Sequence, residues 1–215
     1  MRTYQAIIFD LYGTLIEQKR RFHPYERCIS LLNDKNVLRK DIKPREVALT
    51  EDLPSISSFV QRVTWEFKGT SDEWERDLEK EVRSVRLFEE TERVLRTLKG
   101  KGFLLGMISN LASPYKWFPD RQLISSLMDG EVFSCEVGWY KPQPEIYWLL
   151  VDQLAVDPSH MLMVGDYWKE DVIGPRSIGA DSLYLDRSGR IKGAIQSLDE
   201  VLAIATNTDK RSDYA

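Results

Sequence analysis

Polar side chains follow three short apolar runs of this sequence, and their types can support chemistry. In an open parallel sheet, ligands bind just beyond the carboxyl ends of the strands, so these are places where a site would be built. A carboxylate there can act as a nucleophile or a metal ligand, although one aspartate before a turn can equally be a plain strand terminator. The polar residues are Asp10 after 6–9, Ser109 and Asn110 after 103–108, and Asp166 after 161–165.

A lysine and a further carboxylate accompany these strand ends. Lys141 lies between Gly138 and Pro144, just before an apolar stretch at helical spacing. Asp171 follows Asp166 by five residues, in a segment that we predict to be helical. A carboxylate in the first turn of a helix interacts favourably with the helix dipole. Asp171 can therefore stabilise the helix, or it can be part of a functional site.

Strands alternate with helical stretches along most of the chain, which predicts an α/β fold with a parallel sheet. Short apolar runs bounded by turn residues indicate strands that are buried on both faces. Helices on both faces of the sheet are therefore expected. The predicted strands are 5–10, 103–108, 132–137 at an edge, 161–165 and 182–185, and the predicted later helices follow Glu89, Asp120, Pro144 and Lys169.

Residues 17–87 interrupt this alternation with apolar residues at helical spacing and many charges. We predict an all-helical module inserted after the first strand, with its hinges at 16–21 and 86–89. Residues 1–16 and 88–215 would then form the core domain, and the polar tail 206–215 is expected to be frayed.

The composition argues against several classes of partner. A formal net charge of -4 and a pI near 5.4 give no basic footprint for nucleic acid. No apolar run approaches the ~18 residues of a membrane span, and no signal peptide is evident. Cys28 and Cys135 form no CxxC pair and are expected to be buried free thiols. We therefore expect a soluble cytoplasmic protein that binds no membrane.

Four motifs in order resemble those of the haloacid dehalogenase-like (HAD) hydrolase superfamily. They are Asp10-Leu-Tyr-Gly-Thr-Leu15, Ser109-Asn110, Lys141-Pro142 with Pro144-Glu145, and Val164-Gly-Asp166-Tyr-Trp-Lys-Glu-Asp171. The resemblance implies a Rossmann-like core and identifies the helical insert with the cap that this superfamily places over its cleft. Each motif is weak alone, but the ordered set over residues 5–185 is specific.

The resemblance also implies a role for each motif residue. Asp10 would be the catalytic nucleophile, and Lys141 would neutralise both Asp10 and an anionic substrate. Mg²⁺ would be bound by Asp10, Asp166, Asp171 and the main-chain carbonyl of Tyr12. Three carboxylates and one lysine carry a formal charge of -2, which a divalent cation would cancel. The implied substrate-binding residues are Thr14, Ser109 and Asn110, of which Thr14 can also be a plain turn residue and Asn110 a loop cap.

Tyr12 departs from the pattern of the superfamily's phosphatases, which carry a second aspartate here as general acid and base. Tyrosine is a weak proton donor at neutral pH, and the 2-haloacid dehalogenase branch resembles this chain at Tyr12. Tyr12 can be a weak acid, a pocket wall or a filler whose backbone alone matters. The fourth motif instead resembles the phosphatases, since it retains Gly165-Asp166 and has Trp168 where dehalogenases carry an asparagine. The chain has no unambiguous match to the arginine that the dehalogenase branch uses to bind halide, although Arg39 and Arg45 lie in the corresponding part of the insert.

Three functions are thus open. The retained carboxylates favour Mg²⁺-dependent hydrolysis of a small phosphorylated metabolite. Tyr12 in place of the general acid would lower the rate of that reaction. The alternatives are hydrolysis of a 2-haloacid and a binding or regulatory protein that has lost turnover. In the first two, the partner is a small anionic molecule reached through a pocket under the cap.

Overall fold

The computed structural model describes residues 4–206, and its centre is a five-stranded sheet in which all strands are parallel. The sheet order is β5-β4-β1-β6-β7, and β2 and β3 form a separate antiparallel ribbon. The strands are β1 (Ala6–Phe9), β2 (Ile16–Gln18), β3 (Val85–Leu87), β4 (Leu104–Ser109), β5 (Gly130–Phe133), β6 (Met161–Gly165) and β7 (Asp181–Tyr184).

Helices cover the sheet and form most of the segment between β2 and β3. Short 3₁₀ turns at Ser113–Lys116 and Pro158–His160 and a wide π-helical turn at Trp168–Ile173 complete the elements. The helices are α1 (Pro24–Asp34), α2 (Pro44–Thr50), α3 (Ile56–Val63), α4 (Asp72–Arg83), α5 (Thr91–Gly100), α6 (Arg121–Leu127), α7 (Ser134–Val137), α8 (Pro144–Leu154), α9 (Gly174–Ser177) and α10 (Leu198–Thr206).

The alternation of β1 explains why helices pack on both faces of the sheet. Successive side chains of a strand point to opposite faces. Ile7 and Phe9 lie in one apolar cluster with residues of α5, α6 and α10. Ala6 and Ile8 lie in another with residues of α8. The predicted α/β, Rossmann-like fold with helices on both faces is therefore confirmed.

The strand register brings the polar strand ends to one edge of the sheet. Phe9 of β1 lies opposite Met107 of β4 and Val164 of β6. Asp10 and Asp166 follow adjacent parallel strands, while Ser109 ends the strand on the other side of β1. The central sheet thus places the candidate residues together.

The inserted segment contains four helices, α1 to α4, in line with the predicted helical character of this segment. Helix α2 begins at Pro44, whose fixed backbone angle suits a first helical turn. Helix α3 ends at Val63, so Trp65 lies outside the helix. The Trp65 side chain is 73% exposed, and the Arg39 guanidinium lies over its ring. The predicted boundaries of the cap domain, 17–87, stay a prediction.

The predicted hinge segments pair with each other, which the sequence did not indicate. Ile16 of β2 lies opposite Leu87 of β3, and Gln18 lies opposite Val85. Ile16 and Val85 are fully buried and anchor this ribbon to the core. Each strand has three residues, too few for a period of two to be recognised.

Three other expectations concern the bounds of elements. The strand predicted over 132–137 is too long: residues 134–137 form helix α7, which ends at Gly138 with its φ of 76°, so the edge strand β5 stops at Phe133. The helix predicted after β6 is confirmed, since the wide π-helical turn at Trp168–Ile173 leads directly into α9 (Gly174–Ser177). Thr206 ends helix α10, and the rest of the tail predicted to be frayed lies outside the described residues.

Within residues 4–206, no helix combines the length and apolar character that crossing a membrane requires. Cys28 and Cys135 are both buried and free, as expected.

Candidate active site

Lys141 is the centre of the candidate site. Its side chain is 1% exposed, and its Nζ donates hydrogen bonds of 2.7 Å to Asp10 Oδ1 and 2.7 Å to Asp171 Oδ1. Burial alone would lower the Lys141 pKa, but the two carboxylates raise it above its ordinary value. Lys141 is therefore a permanent buried cation that holds two carboxylates in place.

Asp171 is positioned by the wide turn that follows β6. Its N–H donates to the Tyr167 carbonyl at 2.7 Å, and its Oδ2 accepts from the Tyr167 N–H at 2.9 Å. A Cβ on Gly165 would lie 2.3 Å from the Asp171 carboxyl carbon. Glycine at 165 is thus required by the fully buried Asp171 side chain, which is aimed into the site rather than at the solvent.

Asp166 and the loop after β1 approach each other closely. Gly13 has a φ of 88°, and a Cβ there would lie 2.1 Å from Asp166 Oδ2. Arg187 donates to the carbonyls of Gly13 and Thr14, and its guanidinium also pairs with Glu90 at 2.7 Å. The Arg187–Glu90 pair therefore fixes the loop against which Asp166 packs.

The three carboxylates form a cluster suited to a cation. Asp10, Asp166 and Asp171 each offer an oxygen, and these atoms all lie within 4.8 Å of one another. Burial raises the pKa of Asp10 to about 7, Lys141 opposes this shift, and repulsion from Asp171 and Asp166 adds to it. Burial and then Asp171 raise the pKa of Asp166 to about 6.

An oxygen-only donor set with uncompensated charge fits Mg²⁺, which would relieve the repulsion that raises these two pKa values. In the described structure, the residues that would hold the ion are Asp10, Asp166 and Asp171. The Tyr12 carbonyl as a fourth ligand stays a prediction.

The Tyr12 side chain is directed to the protein interior. Its hydroxyl donates to the Tyr115 carbonyl at 2.9 Å, and the two rings meet edge to face with centroids 6.0 Å apart. Burial and then Glu81 raise the Tyr12 pKa well above its ordinary value. The Tyr115 hydroxyl in turn donates to buried Glu81, which also accepts the N–H groups of Phe22 and His23. The proton of the Tyr12 hydroxyl is thus engaged in a hydrogen bond to a main-chain oxygen.

Asn110 braces Lys141 in this structure. Its Nδ2 donates to the Lys141 carbonyl at 2.8 Å and to Glu170 at 2.9 Å, and its Oδ1 accepts the Lys141 N–H at 2.7 Å. These bonds are those of a loop cap, which was the alternative reading of this residue. Its substrate-binding role stays a prediction.

The other two predicted substrate ligands are also buried. Ser109 is 1% exposed at the end of β4, and Thr14 is fully buried in the loop after β1. Among the described residues, Thr14 Oγ1 is one of two buried side-chain atoms without a hydrogen-bond partner. Such an orphan costs about 1–3 kcal/mol unless a ligand or water pairs with it, and the substrate-binding roles of Thr14 and Ser109 stay predictions.

Sequence reasoning missed the residues that support the site. Glu170 lies within the fourth motif but received no role there. The other supporting residues lie outside the four motifs, and no spacing pattern connected them with the site: Arg187, Glu90, Tyr115 and Glu81. Charged residues that bind loop carbonyls or tyrosine hydroxyls have no periodic signature, so only the folded chain reveals them.

The two arginines considered for a halide site have different surroundings. Arg39 pairs with Asp41 at 2.9 Å and stacks on Trp65, near the surface. Arg45 lines a cavity that Tyr12 and Asn110 also line. Arg45 is therefore the one of the two that borders the candidate site.

Comparisons with known proteins place this chain among relatives and structural neighbours. Glyceraldehyde 3-phosphate phosphatase of Methanothermobacter thermautotrophicus is 32% identical over 103 residues, 47% of this chain and 46% of that protein. The chain thus spans less than half of that relative's length in the match. A HAD phosphatase from Thermococcus onnurineus superposes with a TM-score of 0.65 at 20% identity, covering 94% of this chain and 98% of that chain.

A 2-haloacid dehalogenase from Pseudomonas syringae pv. Tomato DC3000 gives a TM-score of 0.64 at 20% identity, covering 94% and 99% of the two chains. At such identities both structures show a shared fold and do not separate the two activities. A family model described as haloacid dehalogenase-like hydrolase matches residues 4–179. With most of its length covered by that model, the chain belongs to the haloacid dehalogenase-like hydrolase family.

Proposed function

We propose that this protein is a Mg²⁺-dependent hydrolase of a small phosphorylated metabolite that acts through an aspartyl-enzyme intermediate on Asp10. The observation that carries the proposal is the cluster of Asp10, Asp166 and Asp171, whose oxygens lie within 4.8 Å of one another around a buried lysine. The name of the glyceraldehyde 3-phosphate phosphatase supports a phosphorylated substrate.

The residues of the chain divide the chemistry between them. Asp10 Oδ1 is held by Lys141, so the carboxylate is fixed in orientation for attack by its other oxygen. That oxygen forms a bond to phosphorus while the bond from phosphorus to the leaving oxygen breaks with its electron pair. Water then attacks the phosphorus of the aspartyl phosphate, which releases inorganic phosphate and restores Asp10. Bound Mg²⁺ would neutralise the phosphate charge and keep Asp10 ionised.

Tyr12 limits which leaving groups can depart. Its proton is directed at the Tyr115 carbonyl, and its pKa is raised further by burial and Glu81. The leaving oxygen thus receives no proton from this position, and losing a general acid typically costs about 10²–10⁴ in rate. The proposed enzyme is accordingly slow on alkyl esters and prefers aryl or acyl phosphates, whose leaving groups are stable as anions.

Phosphate release tests the proposal directly. The purified protein with Mg²⁺ is expected to release phosphate from aryl or acyl phosphates, and Asp10→Asn and added EDTA are each expected to abolish that release. Release no greater than that of the Asp10→Asn control would overturn the proposal. If Mg²⁺ still binds by calorimetry in that case, the protein is a binding or regulatory member of the family.

Hydrolysis of a 2-haloacid is the second candidate, and Tyr12 is the observation that favours it. Halide departs without a proton, so a blocked Tyr12 hydroxyl would not slow that reaction. Metal-independent halide release from chloroacetate would support it, whereas no release would exclude it.

Oxygen-18 water separates the two reactions further. An alkyl ester on Asp10 is cleaved at the carboxyl carbon, which leaves the label in Asp10. An aspartyl phosphate is cleaved at phosphorus, which leaves the label in phosphate.

The proposed partner is a small anionic molecule, and the proposed compartment is the cytoplasm. Two buried free cysteines support a reducing compartment. The acidic net charge of -4 supports neither nucleic acid nor an anionic membrane surface as a partner.

A further inference from the structure

A cavity of about 440 Å³ lies against the candidate site, between the helical insert and the segment that follows β4. Tyr12 and Asn110 belong to its lining: Tyr12 lies two residues after Asp10, and Asn110 exchanges hydrogen bonds with the main chain of Lys141. The volume is that of a small-molecule pocket. An engineered cavity of about 150 Å³ holds benzene, so this space exceeds one aromatic ring.

Apolar and aromatic side chains dominate the lining. Tyr25 packs edge-on against Phe59, with ring centroids 5.1 Å apart, which fixes its position. Tyr115 is fixed in the same way by its bonds to Tyr12 and Glu81. The apolar and aromatic members of the lining are Tyr12, Tyr25, Ile29, Ala48, Leu49, Leu111, Ala112 and Tyr115.

Two of the polar lining residues already have protein partners. Glu81 accepts the Phe22 and His23 N–H groups and the Tyr115 hydroxyl. Asn110 is bonded to Lys141 and Glu170. The other polar lining residues include three exposed ones, His23, Glu26 and Arg45, and the half-buried Gln18. Among the described residues, the Tyr25 hydroxyl is the one buried polar side-chain group of the lining without a hydrogen-bond partner. A polyhydroxylated ligand would therefore lose water here with one buried hydroxyl to replace it, and such loss is costly.

We propose that the organic part of the substrate is apolar, about the size of an aromatic ring with a short substituent, and occupies this cavity while its phosphate lies at Asp10. This inference rests on the proposed phosphate hydrolysis and adds the class of the group that carries the phosphate. The cavity walls bind that group by burying its apolar surface, and Tyr25 and Tyr115 contribute aromatic rings to those walls.

Two acyl phosphates with the same chemistry at phosphorus test the inference. We expect kcat/KM with Mg²⁺ to be at least about tenfold higher for benzoyl phosphate than for acetyl phosphate, since a hydrophobic pocket discriminates by such factors. Ala48→Phe fills the cavity and is expected to lower kcat/KM for benzoyl phosphate about tenfold more than for acetyl phosphate. Ala203→Phe, on α10 and outside the lining, should leave both values unchanged.

A measurement on the unaltered protein tests the inference even if Ala48→Phe does not fold. Phenylphosphonate is expected to inhibit acetyl phosphate hydrolysis with a Ki at least about tenfold below that of methylphosphonate. Equal Ki values, or equal kcat/KM for the two acyl phosphates, would overturn the inference and leave the proposed function standing. Hydrolysis of neither acyl phosphate would overturn the proposed function and the inference with it.

Discussion

The Tyr12 hydroxyl donates its hydrogen bond to the main-chain carbonyl of Tyr115 at 2.9 Å. The resemblance to the family's phosphatases implies an aspartate at this position that protonates the leaving group. Here the phenol is tied to the turn that follows β4, and the Tyr115 side chain continues the connection to Glu81. Tyr12 therefore lines the pocket and is connected through Tyr115 to Glu81 of the helical insert, with its proton directed at a main-chain oxygen.

Tyr12→Phe is the first test of this arrangement. Activity on an alkyl phosphate, whose leaving group needs a proton, should fall less than about threefold, a loss far smaller than the ~10²–10⁴ expected for removal of a general acid. The lost hydrogen bond should lower the free energy of unfolding by about 1 kcal/mol, measured by urea titration. A hundredfold loss of kcat with an intact fold would show that the phenol donates a proton after all.

Tyr12→Asp should restore the missing acid. We expect hydrolysis of an alkyl phosphate to rise by about 10²-fold, while hydrolysis of an acyl phosphate changes little because its leaving group needs no proton. The readout is the dependence of kcat/KM on the leaving-group pKa, which should be shallower in the variant. If kcat/KM depends equally steeply on the leaving-group pKa in both proteins, the conclusion that Tyr12 supplies no proton would be contradicted.

Lys141→Met tests the buried ion pairs. Without the ammonium group, Asp10 and Asp171 remain buried and repel each other, so the free energy of unfolding in EDTA should fall by about 3–5 kcal/mol. Lys101→Met, an exposed lysine at the end of α5, is the control and should change stability by less than about 0.5 kcal/mol. Equal stabilities of the two variants would show that Lys141 is not the counter-ion described here.

Gly13→Ala tests the close approach of the loop to Asp166. The φ of 88° and the 2.1 Å distance from a Cβ to Asp166 Oδ2 both oppose a side chain. The variant should bind Mg²⁺ at least about tenfold more weakly by calorimetry, because a shift of about 1 Å disrupts a preorganised site. Gly100→Ala, whose Cβ would meet nothing within 4 Å, should bind as the unaltered protein does. Unchanged affinity in Gly13→Ala would remove Asp166 from the metal site.

Stability without metal should fall as the pH rises. The folded-state pKa of Asp10 is about 7 and that of Asp166 about 6, against 3.8 for an ordinary aspartate. The folded state therefore binds more protons than the unfolded state from about pH 4 to about pH 7, and stability declines across that window. We expect a loss of more than about 1 kcal/mol in EDTA, measured by urea titration at several pH values.

Two aspartate variants separate this effect from general charge repulsion. Asp166→Asn removes one titrating group and relieves Asp10, so the decline should be smaller. Asp152→Asn, an exposed aspartate on α8, should reproduce the decline of the unaltered protein. Equal slopes in both variants would contradict the electrostatics described for the cluster.

The strand ends could be predicted from the sequence because they depend on local patterns. The run 6–9 before Asp10 and the run 161–165 before Asp166 are apolar and short, and such runs form buried parallel strands. The β2–β3 ribbon was not foreseen, since three residues carry no period. The hydrogen bonds of Asn110 to Lys141 and of Arg187 to the loop after β1 join residues at least 31 positions apart. No local sequence signal specifies such contacts.

The most direct test of the account is a crystal structure of the protein grown with Mg²⁺ and a phosphate mimic. The account predicts metal density in contact with the carboxylates of Asp10 and Asp166, the mimic against the Asp10 oxygen that Lys141 does not bind, and Lys141 still between Asp10 and Asp171. A carboxylate cluster without metal density, or Asp166 turned away from it, would contradict the account.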